Sequence, residues 1–275
     1  MANEKCSTTF KEIVIHNSKD IEREKNMKRK LVSLVLATTM IAALAGCGSE
    51  SDTAGGSEKK TLVMATNAEF PPYEYKEGDK IVGIDAEIAQ AIADELGMKL
   101  EIEDIAFKSI IPEVVSGKAD MGVAGMTVTD ERKENVAFSD PYATSAQVII
   151  VKNDSDIATP EALEGKTIGV QLGTTGDIYS ADIKGAKIER YNKGVDAILA
   201  LTQGKVDAVI IDRQPAMVFV EKNEGIKIVD KEFTVEDYAI AIGKDNKDLL
   251  DKVNKALAKL KESGKLQEII DKYIK

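Results

Sequence analysis

Apolar and polar positions alternate along most of the chain in a way that predicts short strands separated by helices. Ile84, Ile88, Ile92 and Leu96 recur every four residues with charged residues between them, the spacing of an amphipathic helix, and Gly97 ends the run. Short apolar runs predict strands at residues 61–65, 99–103, 121–124, 148–151, 167–170, 187–191 and 206–211, and two closing helices are predicted at residues 248–261 and 266–273. Alternation of this kind favours α/β layers with mostly parallel sheets.

One local pattern occurs twice. A helix end, a Gly-Lys turn and a buried strand follow one another around Gly117 and again around Gly204. The two glycines are 87 residues apart, too far for a solenoid repeat, so two similar α/β lobes fit better. Ligands of open α/β sheets bind beyond the carboxyl ends of strands. We therefore expect a binding site where the two repeated strands end, at residues 125–127 and 212–213.

A short apolar stretch near the start predicts a targeting signal. Residues 31–45 are mostly apolar and follow the basic residues 28–30. At about 1.5 Å per residue the stretch is about 22 Å long, short of the roughly 30 Å core of a bilayer. Ending in Leu-Ala-Gly-Cys at residues 44–47, it resembles a bacterial lipoprotein signal peptide. The resemblance implies that Cys47 is lipidated and anchors the mature protein on the extracytoplasmic face of the cell membrane. The alternative is an ordinary buried helix with an incidental cysteine.

The segments on either side of this signal carry separate predictions. Residues 1–47 are interpreted as leader and signal peptide, although a signal peptide should start close to its basic region. Translation therefore starts at Met27, or the leader is unusually long. In either case we predict that the mature polypeptide lacks Cys6. Residues 48–60 have almost nothing to bury and predict a flexible tether.

Charge and cysteine usage exclude several classes of function. The chain has a net charge of −10, and residues 1–47 carry +3 of it, which leaves about −13 on the mature part. A nucleic-acid surface needs clustered cations, so we expect no nucleic-acid partner. Once Cys6 is removed and Cys47 lipidated, no thiol remains for a disulfide or a metal site. The single histidine, His16, lies in the leader. We expect no metal and no enzyme cofactor.

A set of motifs runs through the mature part of the chain. The motifs are Glu69-Phe70-Pro71-Pro72-Tyr73, Gly83-Ile84-Asp85-Ala86-Glu87-Ile88, Ala124-Gly125-Met126-Thr127-Val128-Thr129-Asp130-Glu131-Arg132, Phe138-Ser139-Asp140-Pro141-Tyr142, Gly173-Thr174-Thr175-Gly176 and Ile211-Asp212. With them the chain resembles the polar amino-acid-binding lipoproteins of bacterial ABC importers (extracellular solute-binding protein family 3) over nearly all of residues 61–275. The resemblance implies an α/β, two-lobed periplasmic-binding-protein-like fold (type II), with two sheets flanked by helices and a double-crossing hinge.

The resemblance also implies how the protein is divided and what it does. Lobe 1 would comprise residues 61–145 plus 240–275, and lobe 2 residues 146–239, with hinge crossings near residues 144–147 and 238–240. A monomer would capture a free polar or basic L-amino acid between the lobes and deliver it to ABC permease subunits. No catalysis is implied.

Charged residues receive roles from the same resemblance. Arg132 offers a planar five-donor fork suited to a carboxylate, and would pair with the cargo α-carboxylate together with the backbone N–H groups of Thr127 and Thr175. Asp212 would be the counter-ion of the α-ammonium, helped by the Gly125 carbonyl and the Thr127 hydroxyl. Taken alone, Arg132 is one more charge in a charged run, and Asp212 is a helix N-cap.

The cargo side chain would meet a different group of residues. Phe70 and Phe107 correspond to aromatic positions that sandwich it in relatives. Asn67 and Glu69 would tune the preference: Glu69 in the cleft would favour arginine or lysine, and Glu69 in solvent would decide nothing. Ile211 argues against glutamine. The expected ligand contacts are Asn67, Glu69, Phe70, Phe107, Gly125, Met126, Thr127, Arg132, Gln171, Thr174, Thr175 and Asp212.

Two rival functions remain open at this point. Secreted prephenate or arogenate dehydratases resemble the same fold, but Arg132 with Asp212 suits a zwitterion better than a cyclic dicarboxylate. A ligand-presenting sensor would have a membrane receptor as its partner in place of a permease. The partner surface has no readable motif, so the sequence does not separate the sensor from the transport protein.

Overall fold

The computed structural model describes residues 61–274. The leader and signal peptide (1–47), with Cys47, and the tether (48–60) lie outside the described residues and stay predictions. The strands are β1 (Thr61–Thr66), β2 (Glu69–Phe70), β3 (Glu74–Glu77), β4 (Lys80–Val82), β5 (Lys99–Asp104), β6 (Met121–Gly122), β7 (Val136–Phe138), β8 (Ala143–Lys152), β9 (Thr167–Gln171), β10 (Lys187–Tyr191), β11 (Ala208–Asp212), β12 (Ile226–Ile228), β13 (Thr234–Tyr238) and β14 (Ala241–Gly243). The helices are α1 (Ile84–Glu95), α2 (Ile110–Val115), α3 (Asp130–Lys133), α4 (Thr175–Ser180), α5 (Gly194–Thr202), α6 (Arg213–Lys222), α7 (Lys247–Glu262) and α8 (Lys265–Tyr273). Within residues 61–274, every helix is too short or too polar to span a bilayer.

These strands form two main sheets and one small one. The first sheet has the order β5-β1-β6-β14-β7, and the second has the order β10-β9-β11-β8-β12, with β13 also paired to β8. Strands β2, β3 and β4 form a small antiparallel sheet. Each main sheet with its helices is one lobe, which confirms the two-lobed α/β fold expected from the sequence.

Each main sheet is parallel in one part and antiparallel in another. Strand β1 runs parallel to β5 and β6, and β9 runs parallel to β10 and β11. Strand β14 is antiparallel to β6 and β7, and β8 is antiparallel to β11, β12 and β13. The expectation of mostly parallel sheets is therefore wrong. The strands that carry the chain between the sheets run against the strands they join.

Helix α1 forms because its apolar positions share one face. Ile84, Ile88 and Ile92 are fully buried, and the helix packs on β5, α7 and α8, while α2 lies against β1, β6 and β14. The N-cap position of α1 requires glycine. Gly83 has a φ of +122°, and a Cβ there would lie 2.2 Å from the carbonyl oxygen of Tyr73. This close approach holds residues 72–73, just before β3, beside the start of α1, where their carbonyls accept from the N–H groups of Ile84 and Asp85.

Strand β8 shows why the second sheet reads as a continuous apolar run. Val148 and Ile150 belong to the core shared with α5 and α6, whereas Ile149 and Val151 belong to the core on the opposite face. Strands buried on both faces lose the polar half of the alternation. The apolar runs at residues 167–170 and 206–211 lie in the same sheet, and all three predicted strands are confirmed, although β8 begins five residues before the predicted run 148–151.

The chain passes between the two sheets twice, side by side. It leaves the first sheet after β7 and enters the second at β8, then returns from β13 to β14. Strands β8 and β13 pair antiparallel from Ala143↔Tyr238 to Gln147↔Thr234. The two crossings therefore lie next to a single two-stranded ribbon. The lobe boundaries given above stay predictions.

Candidate functional site

A cavity lies where the carboxyl ends of β1, β6, β9 and β11 come together. Its walls come from both sheets, as expected from the two repeated strand ends. Every expected ligand contact except Glu69 and Met126 lines it. The lining residues are Asn67, Phe70, Glu74, Phe107, Ala124, Gly125, Thr127, Arg132, Gln171, Thr174, Thr175 and Asp212.

Arg132 supplies a fixed positive charge to the cavity. It lies on α3, whose N-cap Thr129 accepts a hydrogen bond from the Arg132 backbone N–H at 3.2 Å. The Arg132 guanidinium donates from Nη1 to the Thr127 carbonyl at 2.7 Å and from Nη2 to the Gly173 carbonyl at 3.0 Å. Its Cζ lies 5.4 Å from the centre of the Phe107 ring. These bonds use two of the five N–H donors, and they join the first lobe to the second at Gly173.

A buried carboxylate that sequence reasoning missed lies behind Thr127 and Thr175, which line the cavity. Glu236 Oε2 accepts hydrogen bonds from the hydroxyls of Thr127 and Thr175, both at 2.9 Å, and from Gln147 Nε2 at 3.0 Å. Because each hydroxyl gives its proton to Glu236, it presents lone pairs to any other partner. The signal for Glu236 is weak, because it is buried on β13 while the apolar Val235 beside it is exposed.

Asp212 supplies a negative charge to the same cavity. It ends β11 and occupies the N-cap position of α6, but its side chain makes no cap hydrogen bond there. It accepts instead from the hydroxyl of Tyr238 on β13. Burial raises the pKa of Asp212 to about 7, the Tyr238 hydrogen bond opposes the rise, and the charge of Glu236 adds to it. The interpretation of Asp212 as only a helix cap is therefore wrong.

Two more acids, Glu74 and Asp85, lie on the same side of the site as Asp212. Glu74 lines the cavity and is almost completely buried, and Asp85 is buried beneath it. Asp85 Oδ2 accepts from the Gly125 N–H at 2.7 Å and from the Tyr142 hydroxyl at 2.8 Å. Sequence reasoning missed Glu74 and Ala124 as lining residues. Glu74 directly follows the Pro-Pro-Tyr motif, a position that reads as an ordinary loop acid.

Amides and aromatic rings form the remaining walls. Gln171 Nε2 donates to Asn67 Oδ1 at 2.8 Å, which links the two lobes, and Asn67 Nδ2 donates to the Ile105 carbonyl at 2.9 Å. Phe70 and Phe107 both line the cavity, as the resemblance implied. Thr174 caps α4 by accepting from the Asp177 N–H.

Glu69 and Met126 do not line the cavity. The Glu69 side chain is 25% exposed and forms an ion pair with Lys193 of the second lobe. Its carboxylate thus faces the gap between the lobes but is already engaged. Met126 is buried in the core of the first lobe, where its carbonyl accepts from the Ala239 N–H at 3.1 Å. Within residues 61–274, no group of three or more histidine, cysteine or acidic side chains is arranged to hold a metal ion.

Two α/β lobes closed over a cavity lined by a buried cation and by buried acids define a two-lobed solute-binding protein. The family model of the bacterial extracellular solute-binding proteins, family 3, matches residues 62–275. The chain belongs to this family, and its place is therefore extracytoplasmic.

Three relatives show the range of the likeness. The arginine-binding extracellular protein ArtP of Bacillus subtilis (strain 168) is 38% identical over 251 residues, which is 89% of this chain and 98% of ArtP. The structure of an ancestral arginine-binding protein bound to arginine is 42% identical with a TM-score of 0.76, over 79% of this chain and 99% of that one. The ancestral amino acid-binding protein AncCDT-1, a precursor of cyclohexadienyl dehydratase, is 34% identical with a TM-score of 0.73, over 78% and 96%.

Proposed function

We propose that this protein is the substrate-binding component of an ABC amino-acid importer, which captures a polar L-amino acid between its lobes and delivers it to permease subunits. The observation that carries the proposal is that Arg132 and Asp212 line the same cavity from different lobes. An α-amino acid carries one charge of each sign on adjacent groups. A cavity with both counter-charges and buried walls selects such a zwitterion over ions of one sign.

Each charged group of the cargo has a partner in this proposal. The α-carboxylate binds the free N–H donors of Arg132 and the backbone N–H groups of Thr127 and Thr175. The hydroxyls of these two threonines donate to Glu236, so they do not serve as donors to the cargo. The α-ammonium binds Asp212, the Gly125 carbonyl and the lone pairs of the Thr127 hydroxyl.

We infer that cargo favours the closed arrangement of the lobes, with residues 61–145 plus 240–275 moving against residues 146–239. Arg132 and Thr175 come from different lobes, so an amino acid bound to both has more contacts when the lobes are together. A ligand shifts such an equilibrium by its difference in affinity for the two forms. The permease would recognise the closed form.

Arginine is the first cargo to test. ArtP and the ancestral protein are described as arginine-binding, and a guanidinium stacks well between the rings of Phe70 and Phe107. The amide oxygens of Asn67 and Gln171, which line the same cavity, offer hydrogen-bond acceptors to the cargo guanidinium. Glu69 would help only if it left Lys193.

A thermal-shift scan against the twenty amino acids and cystine tests the function. The purified protein is first unfolded and refolded to remove any ligand carried through purification. Ligand at about 1,000 times its dissociation constant stabilises a protein by about 4 kcal/mol, on the order of 10 °C for a chain of this size. One large shift identifies the cargo. No shift with any of them would reject the amino-acid function.

We propose that the protein is a monomer held at the membrane by a lipid on Cys47. The support for the lipid anchor is the basic cluster, the short apolar stretch and the final Leu-Ala-Gly-Cys. Mass spectrometry of the mature N-terminal peptide should find a lipidated Cys47 and nothing from residues 1–26. A peptide from residues 1–26 in the mature protein would contradict the cleavage.

We propose binding without catalysis. The relative AncCDT-1 is itself described as an amino acid-binding protein, although it is a precursor of a dehydratase. An assay with prephenate and arogenate should show no turnover above the rate without protein. Turnover that Asp212→Asn abolishes would make the protein an enzyme.

A further inference from the structure

Glu74 and Asp85 form a pair of carboxyl groups that the charge pairing of the cargo does not use. Glu74 begins β3 and is 1% exposed, and Asp85 lies in the first turn of α1 and is 0% exposed. Their side chains lie close enough to share a hydrogen bond if one of them carries a proton. Within residues 61–274, neither forms an ion pair with a lysine or arginine.

The hydrogen bonds around the pair leave two oxygen atoms without a donor. Asp85 Oδ2 receives the Gly125 N–H and the Tyr142 hydroxyl, whereas Asp85 Oδ1 and Glu74 Oε2 receive none. Two ionised carboxylates cannot hydrogen-bond to each other, because both only accept. One proton between them supplies the missing donor, and it removes the repulsion of two buried negative charges.

The surroundings decide which acid keeps the proton. The ionisable groups that face the pair are Tyr73, Tyr142 and Asp212, and Arg132 lines the same cavity. Two donors point at Asp85, which favours its ionised form. Burial raises the pKa of Glu74 well above its usual range, and raises the pKa of Asp85 only to about 6.

We propose that Glu74 is a neutral carboxylic acid that donates its proton to Asp85, and that it is a positioning residue for the ammonium end of the cavity. Asp85, held from one side by Glu74, fixes the Gly125 N–H with its other oxygen. Gly125 has a φ of +49°, and a Cβ there would lie 2.9 Å from the Phe70 ring, so this turn has little room to shift. The fixed turn aims the Gly125 carbonyl at the cargo ammonium, a last step that rests on the proposed function.

Infrared spectroscopy of the ligand-free protein tests the proton directly. At pH 7 the difference between wild type and Glu74→Gln should contain the carbonyl stretching band of one protonated carboxylic acid. The matched control is Glu77→Gln, on the same strand but exposed, which should lose no such band. A wild-type spectrum without the Glu74 band overturns the proposal. This measurement needs no cargo, so it stands even if the protein binds no amino acid.

Cargo affinity tests the positioning role. A glutamine side chain donates an N–H to Asp85 as the neutral acid does, so Glu74→Gln should keep the affinity within about threefold. Glu74→Ala removes the donor and should weaken binding by about tenfold or more. If Glu74→Gln weakens binding as much as Glu74→Ala, Glu74 is an ionised contact of the cargo and the proposal is wrong. If Glu74→Ala does not fold, the glutamine variant and the infrared band still decide.

Discussion

The Arg132 guanidinium is held by two backbone carbonyls and a phenyl face, whereas Asp212 is held by a tyrosine hydroxyl and lies near the buried Glu74, which in turn lies beside Asp85. The cation stays charged at any physiological pH, because arginine does not lose its proton in proteins. The acids have raised pKa values, because burial disfavours their charged forms and they repel each other. The charge of Arg132 is therefore insensitive to pH, whereas the acids take up and release protons.

The largest effect is expected from Arg132→Ala. Removing one member of a buried charge pair costs about 2–5 kcal/mol, so cargo affinity should fall by about a thousandfold. Lys133→Ala, the exposed neighbour on α3, is the control and should bind normally. Calorimetric titration measures the affinity, and circular dichroism checks that the variant is folded. Affinity retained in a folded Arg132→Ala protein would remove Arg132 from the site.

Asp212→Asn tests the titration of the Asp212 carboxyl through the pH dependence of stability and of cargo affinity. The pKa of Asp212 in the folded protein is about 7, above the ordinary value of 3.8, so the ligand-free fold binds its proton more tightly than the unfolded chain. Its contribution to stability is present below pH 3.8 and is lost as the pH rises through 7. Cargo ammonium prefers the ionised form, so wild-type affinity should rise with pH across the same range.

The asparagine variant should bind cargo about a hundredfold more weakly at pH 8, and its pH dependence should be flatter. Without cargo, its melting temperature relative to wild type should increase from pH 5 to pH 8, since it carries no buried charge at the higher pH. Parallel pH profiles of the two proteins would show that Asp212 does not titrate in this range.

Glu236→Gln is expected to have an intermediate effect. The amide oxygen can take the place of Oε2 but carries no charge, so the hydrogen bonds from the hydroxyls of Thr127 and Thr175 weaken and their lone pairs are held less firmly toward the cargo. Cargo affinity should fall about tenfold, the scale of one lost buried hydrogen bond to a charged group. The exposed Glu221→Gln is the matched control. Rescue by Thr175→Val in a double-mutant cycle would support coupling, and additive effects would contradict it.

The smallest effect is expected from Lys193→Ala, at the side-chain end of the cavity. Exposed ion pairs contribute about 0–1 kcal/mol, so the change should be about threefold or less. Its direction is informative. Freeing Glu69 should strengthen binding of a basic cargo and leave a neutral cargo unchanged or slightly weaker. Lys184→Ala, also exposed, should change neither, and equal effects on both cargos would place Glu69 outside the site.

The sequence predicts the parts of this molecule that depend on local pattern. The four-residue spacing of Ile84, Ile88 and Ile92 predicts α1, and the repeated strand ends at Gly125 and Asp212 predict where the cavity lies. The relation between acids and their partners depends on contacts far apart in the chain. Glu236 meets a threonine 109 positions away, and no local spacing announces it.

The same distinction applies to residues whose neighbours are known but whose direction is not. Glu69 begins the short strand β2, two positions after Asn67. Asn67 lines the cavity, whereas Glu69 pairs with Lys193, 124 positions away. Sequence spacing locates both near the cleft. Which partner a carboxylate takes depends on how the two lobes meet, and that is a property of the whole fold.

The ribbon of β8 and β13 has a mechanical consequence. Five residue pairs, from Ala143↔Tyr238 to Gln147↔Thr234, tie the two strands by backbone hydrogen bonds, so one strand cannot slide along the other. The two strands therefore bend and twist together as one unit. A probe attached to either strand would therefore report the same motion, and a substitution that stiffens one strand would slow both.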